Sequence, residues 1–251
     1  MPRHDAELPQ PIVHLLEPAE TPVDAELDTD FSVEIAELTD VVDALAEESG
    51  IKPATWAQYK ETIRPLAEHS PMMYAHSLRV GIYSYGIARS EGWKDLHFPL
   101  FAGCGPDVGP IGIDLDTLES TAKFTDEQYE DMKRHPEIGY HILKHTHLYS
   151  ALIAGLHHAY RSDGYGLDLS ALESPALSAQ SKEKIESVAK LIMLVDFFDS
   201  LTTRKNDKGL ATFDDREAQR AVLQEHFPDS PSRVDWLFDH MIARERFHAV
   251  R

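Results

Sequence analysis

Five side chains along this chain could hold a metal ion together. His76, His135, His157 and Asp196 each fall on or beside the apolar face of a separate helix expected from the hydrophobic period, and Asp107 lies in a loop between the first two. A lone histidine on an apolar face is usually a hydrogen-bonded core residue. Several helices aiming imidazoles and carboxylates at one interior are different, because each buried polar group left without a partner costs roughly 1–3 kcal/mol. A shared divalent cation removes that cost. Asp196 is the most telling position: it interrupts the apolar run from Leu191 to Phe198, where an ionised carboxylate needs a cation or strong donors. The alternative is a helix-to-helix salt bridge.

Such a site, rich in N and O ligands and without thiolate, suits iron, manganese, zinc or similar ions. Two ions about 3.5–4 Å apart would suit phosphoester hydrolysis, by clamping both the attacking and the leaving oxygen. His157 and His158 are adjacent, so on one helix their side chains diverge by about 100°. This spacing gives His157 to a metal and His158 to a second metal or to substrate, the alternative being a surface histidine.

The elements that must position these groups read as all-α. Residues 1–30 hold Pro2, Pro9, Pro11, Pro18 and Pro22 among many acids, the composition of an unpaired tail, or of a docking arm anchored by Ile12, Val13, Leu15 and Leu16. Residues 31–69 form an N-terminal helical element: one helix from Phe31 stopped by Gly50, a second after Pro53 carrying Trp56, Tyr59 and Ile63. It packs on the main domain or serves dimerisation. The main domain, 70–251, opens with Ser70 as N-cap and Pro71 at the first helical position, on a helix expected to reach about Gly92. His76, Val80, Tyr83 and Ile87 share one of its faces. Gly103 to Pro110, with three glycines and two prolines, reads as irregular. Thr125 and Gln128 make a capping box for a helix running through Met132, His135, Ile138 and Ile142. A helix from Tyr149 to Tyr160 is expected to end in the histidine pair, and a turn follows around Asp163 and Gly164. Further helices start at Ser181, near Asp214 and at Pro231.

Composition narrows the function. The formal charge of −19 opposes binding to nucleic acid polymers or anionic membrane, so a polyanionic substrate would need local cations. The single cysteine, Cys104, can form neither an intramolecular disulfide nor a thiolate cluster and reads as a small buried residue. No stretch approaches eighteen apolar residues, and the first residues show neither a basic nor an apolar leader region, so the cytoplasm is the expected compartment.

The ordered succession is His76-Ser77-Leu78-Arg79-Val80, Asp107-Val108-Gly109, Phe124-Thr125-Asp126-Glu127, His135-Pro136-Glu137-Ile138-Gly139, His157-His158, Asp163-Gly164-Tyr165-Gly166 and Asp196-Phe197-Phe198-Asp199-Ser200-Leu201-Thr202. From about Ser70 to Ala221 it resembles the HD-GYP domain, a helical subclass of the HD phosphohydrolases. The resemblance implies an HD-domain helical bundle that hydrolyses cyclic di-GMP, or a related nucleotide, with two or three metal ions, iron or manganese foremost. It implies that His76, Asp107 and Asp196 serve one ion, that Asp107 bridges and is the central catalytic position, and that His135 and His157 serve the second. His158 takes the position that holds a third ion in some members. Met72 stands where those members place a glutamate, so a trinuclear site is not expected. A GGDEF-type protein is the partner class the resemblance brings with it.

The departures fall on the chemistry. Pro106 replaces the histidine paired with Asp107, so a ligand of the first ion is missing and two ions, one or none are all open; Pro110 replaces a phosphate-contacting lysine. Ala159 replaces an acid, and the loop that supplies Gly164 and Tyr165 for substrate has lost its usual order. Arg204 and Lys205 sit where a substrate-binding arginine is expected. Two functions follow: a metal-dependent phosphodiesterase, or a catalytically weak or inactive signalling protein that binds metal, nucleotide or a partner in the old pocket.

Overall fold

The helix that carries His76 is the axis of the molecule. Ser70 Oγ accepts from the Met73 amide at 3.4 Å and Pro71 occupies the first turn, where its missing N–H costs nothing. The structure is a computed structural model describing residues 9–10, 31–120, 123–161, 163–173, 177–203 and 215–242. Among these residues every regular element is a helix. In chain order they are α1 (Ser32–Glu48), α2 (Pro53–His69), α3 (Pro71–Ser90), α4 (His97–Cys104), a 3-10 segment (Pro106–Gly112), α5 (Leu115–Leu118), α6 (Asp126–Met132), α7 (His135–Leu143), α8 (Leu148–Leu156), a 3-10 turn (Leu169–Glu173), α9 (Ala179–Thr203), α10 (Arg216–His226) and α11 (Pro231–Asp239).

Helix α3 is buried on every side from Met73 to Ala88, because α1, α2, α4 and α9 surround it. A helix in that position carries apolar residues all round rather than a stripe. Contact with α4 is backbone to backbone: a Cβ on Gly103 would lie 2.5 Å from the Gly81 Cα. Leu38, Val42 and Leu45 of α1 and Trp56, Tyr59 and Ile63 of α2 join the same apolar core as α3, α8 and α9, so the N-terminal element is packed onto the main body. Truncating a core residue such as Leu38, fully buried, is expected to cost about 2–5 kcal/mol. None of the described helices is long and apolar enough to cross a membrane. Apart from residues 9–10, the acidic tail and its proposed apolar anchor lie outside the described residues.

Three local expectations need correction. The segment expected to be irregular is ordered: Gly103 and Cys104 finish α4, and Pro106–Gly112 forms a 3-10 segment, with Pro106 at a first-turn position that needs no N–H. The single helix expected through Met132 and Ile142 is two helices, α6 and α7, separated by a turn at Lys133 and Arg134, with Pro136 in the first turn of α7. Finally, α8 stops at Leu156, so His157 and His158 follow the helix instead of lying on it.

Candidate metal centre

His76 enters from the second turn of the buried α3, and its two ring nitrogens are used differently. Nδ1 lies 2.7 Å from Asp199 Oδ2, an acceptor, so Nδ1 carries the proton and donates. In the neutral ring Nε2 then presents a lone pair, and it faces carboxylate oxygens of Asp107 and Asp196, each at 3.1 Å. A lone pair between two anions is repulsive unless a cation or a further proton sits among them.

The second cluster repeats this frustration with imidazoles alone. His135 Nδ1 donates to the Met132 carbonyl at 2.7 Å, and His157 Nδ1 donates to the Ala154 carbonyl at 2.6 Å. Both Nε2 atoms are left as acceptors in the neutral rings, yet they face each other at 3.3 Å. His158 completes the group: one ligand atom from each of His135, His157 and His158 lies within 4.8 Å of the others, as also holds for His76, Asp107 and Asp196. His157 is the C-cap of α8 and keeps helical dihedrals, φ −63° and ψ −17°, yet the rings of His157 and His158 lie with centroids 4.0 Å apart. The divergence expected on a helix is not realised.

Two carboxylates span the clusters. Asp107 places Oδ2 at 3.1 Å from His76 Nε2 and Oδ1 at 3.6 Å from His135 Nε2. Asp196 places Oδ1 at 3.1 Å from His76 and Oδ2 at 3.9 Å from His158. The sequence reading gave the bridging geometry to Asp107 alone. Gly109 makes this convergence sterically feasible, since a Cβ there would lie 1.9 Å from the His135 carbonyl oxygen. The 3-10 segment bearing Asp107 can thus sit directly on the start of α7.

Electrostatics prepare the ligands. Burial alone would raise the Asp107 carboxyl, but the hydrogen bond and charge of His76 in its protonated form, then the charges of His135 and His157, hold it well below the usual carboxylate range. Burial lowers the His135 imidazole to about 4, against the opposing pull of Asp107. Near neutral pH the cluster therefore offers a carboxylate and an unprotonated imidazole, the forms that bind metal. Nitrogen and oxygen donors with no thiolate, and lone pairs already aimed at one another, fit divalent cations.

Arg79 and Asp199 complete the support of His76 and did not emerge as site residues from the sequence. The Arg79 guanidinium is bidentate on Asp199, through Nε at 2.8 Å and Nη2 at 2.9 Å, and its Nη1 reaches Glu34. Burial opposes the Asp199 charge, but Arg79 and His76 outweigh it and hold the carboxyl far below the ordinary range. The available signal was spacing: Arg79 and Asp199 each lie three residues after a candidate ligand, on the same helical face.

Beside the clusters a small cleft is lined by His158, Arg161, Tyr165, Asp196, Phe197 and Ser200, among others. Tyr165 stacks on His158 with centroids 4.5 Å apart, and burial raises its phenol well above the usual range, so the hydroxyl stays protonated. Gly164 closes the turn before it, its amide donating to the Arg161 carbonyl at 3.1 Å. Arg161 contributes a cation the sequence reading passed over; its Nε contacts Asp163 at 3.1 Å and its guanidinium lies 5.9 Å from the Phe197 ring centroid. Arg204 and Lys205 lie outside the described residues.

No family model matches the chain. Three curated proteins are similar to it. A cyclic di-GMP phosphodiesterase of Thermotoga maritima is 32% identical over 161 residues, covering 60% of this chain and 41% of the relative. A cyclic di-GMP phosphodiesterase of Pseudomonas aeruginosa is 28% identical over 137 residues, covering 52% and 30%. The cyclic di-GMP phosphodiesterase response regulator RpfG of Xanthomonas campestris is 32% identical over 112 residues, covering 43% and 27%. The chain thus matches less than half the length of each relative. The all-helical fold and the order of the histidine and aspartate motifs agree with the resemblance to the HD-GYP domain, with the HD pair and the GYP loop altered.

Proposed function

We propose that this chain is a metal-dependent phosphodiesterase acting on cyclic di-GMP or a closely related cyclic dinucleotide. The observation that carries the reading is the pair of facing Nε2 lone pairs on His135 and His157, 3.3 Å apart, with Asp107 and Asp196 reaching from this cluster to His76. In this reading His76, Asp107 and Asp196 hold one divalent ion, iron or manganese, and His135, His157 and His158 hold a second. Bound ions supply charge neutralisation at the phosphodiester and activation of water at neutral pH.

The chain's own groups do the rest. Asp107, kept ionised, ties the two clusters at a fixed separation. Tyr165, kept protonated, can donate from its hydroxyl to a phosphate oxygen, and Arg161 supplies a guanidinium at the cleft. Arg204 and Lys205 are assigned to the same anion by resemblance. Local cations are needed because a chain of −19 repels a dinucleotide at longer range. The compartment we assign is the cytoplasm.

A second reading is favoured by Pro106 and Pro110: the site binds metal and nucleotide but turns over slowly, as a sensor. Hydrolysis of cyclic di-GMP with added manganese or iron separates the two. The enzyme predicts a linear product that disappears in Asp107→Ala; nucleotide binding without product identifies the sensor.

A further inference from the structure

Behind His76 a buried chain of charges reaches the N-terminal helix. Asp199 accepts from His76 Nδ1 at 2.7 Å and from Arg79 at 2.8 and 2.9 Å; Arg79 in turn donates to Glu34 on α1. Glu34 is 3 % exposed, Arg79 4 %, and His76 and Asp199 0 %. Taken as a pair, Arg79 and Asp199 are neutral, and a neutral pair would do little to favour positive charge at the imidazole. With Glu34 the three residues Glu34, Arg79 and Asp199 sum to −1.

We propose that Glu34 is a positioning residue for the metal centre: its carboxylate offsets Arg79, so that Asp199 acts on His76 as an anion and strengthens Nε2 as a ligand. Helix α1 is thereby wired to the centre through charge as well as through packing. A displacement of α1 that withdrew Glu34 would weaken metal binding without touching a ligand. Partners hydrogen-bonded to a ligating histidine commonly set metal affinity, because they fix the tautomer and raise the basicity of the coordinating nitrogen. Here the partner's own charge is set one residue further out.

The inference rests on the reading that His76 holds a divalent ion, and the experiment keeps the two apart. Manganese affinity is measured by titration calorimetry on the metal-free full chain, alongside the thermal midpoint. Glu34→Gln is expected to weaken the affinity on the order of tenfold. Glu34→Asp, which retains the charge, is expected to stay within about twofold of the parent. The double variant Glu34→Gln/Arg79→Met restores a net −1 behind His76, so it should recover affinity while losing further stability, opposite movements that a merely structural role cannot produce. Leu38→Ala, an apolar truncation on the same helix, should lower the midpoint and leave the affinity unchanged. Unchanged affinity in Glu34→Gln, or equal weakening in Leu38→Ala, overturns the role of Glu34 alone. A parent protein that binds no manganese overturns the metal reading and this inference with it.

Discussion

His135 and His157 point their Nε2 atoms at each other across 3.3 Å while both Nδ1–H groups are committed to main-chain carbonyls. Neither ring in its neutral form can donate to the other without giving up a short hydrogen bond. A divalent ion there would accept both lone pairs at once. Saturation with manganese at a hundred times Kd should therefore stabilise the metal-free protein by about 2.7 kcal/mol, several degrees in Tm for a domain of this size. His157→Ala should remove the share of that stabilisation owed to the ion between His135 and His157, which differential scanning calorimetry would show as a smaller shift.

The depressed His135 makes metal-free stability depend on pH in a definite sense. Its folded value, about 4, lies below the ordinary 6.5, so between those limits the unfolded chain binds the extra proton and stability falls with acidification. The full effect is on the order of 3 kcal/mol. His97 and His147, also lowered by burial, act in the same direction. Urea titrations at pH 7 and pH 4.5 should show the loss, and His135→Gln should reduce the difference between them. An unchanged difference in that variant would mean His135 is protonated in the folded protein.

Arg161 can be tested by the split between binding and metal content. Loss of a charge-assisted hydrogen bond to phosphate costs about 1.5–3 kcal/mol, so Arg161→Ala should raise KM for the dinucleotide roughly 10- to 100-fold. Bound metal should not change, because Arg161 lines the cleft and belongs to neither ligand cluster. A KM equal to that of the parent would remove Arg161 from substrate binding.

Asp199→Asn breaks a buried ion pair and leaves the Arg79 guanidinium without its bidentate partner. Breaking such a pair costs about 3–5 kcal/mol, which chemical denaturation would report as a lower midpoint. The asparagine can still accept from His76 Nδ1, so the ring should stay in place while metal affinity falls with the lost charge. Stability and affinity that both match the parent would show that the Arg79–Asp199 pair is dispensable.

The helices with local signals could be read directly from the residues. Ser70 with Pro71, and the reciprocal capping box of Thr125 and Gln128, place helix starts where the structure has them. What could not be read depends on tertiary geometry. Whether two adjacent histidines diverge or converge depends on what their rings pack against, here His135 for His157 and Tyr165 for His158. The pairing of Arg79 with Asp199 joins residues 120 positions apart, so neither residue alone announces the support of His76. The second span between clusters, through Asp196, likewise appears only when α9 is set against α3.

Metal stoichiometry of the purified chain tests the centre most directly. Elemental analysis after loading with manganese or iron and removal of free ion should find two ions per chain, falling in Asp107→Ala, whose two oxygens reach both clusters. A parent protein that stays metal-free, with the same stability in the presence and absence of those ions, would contradict the assignment of these histidines and aspartates to a metal centre.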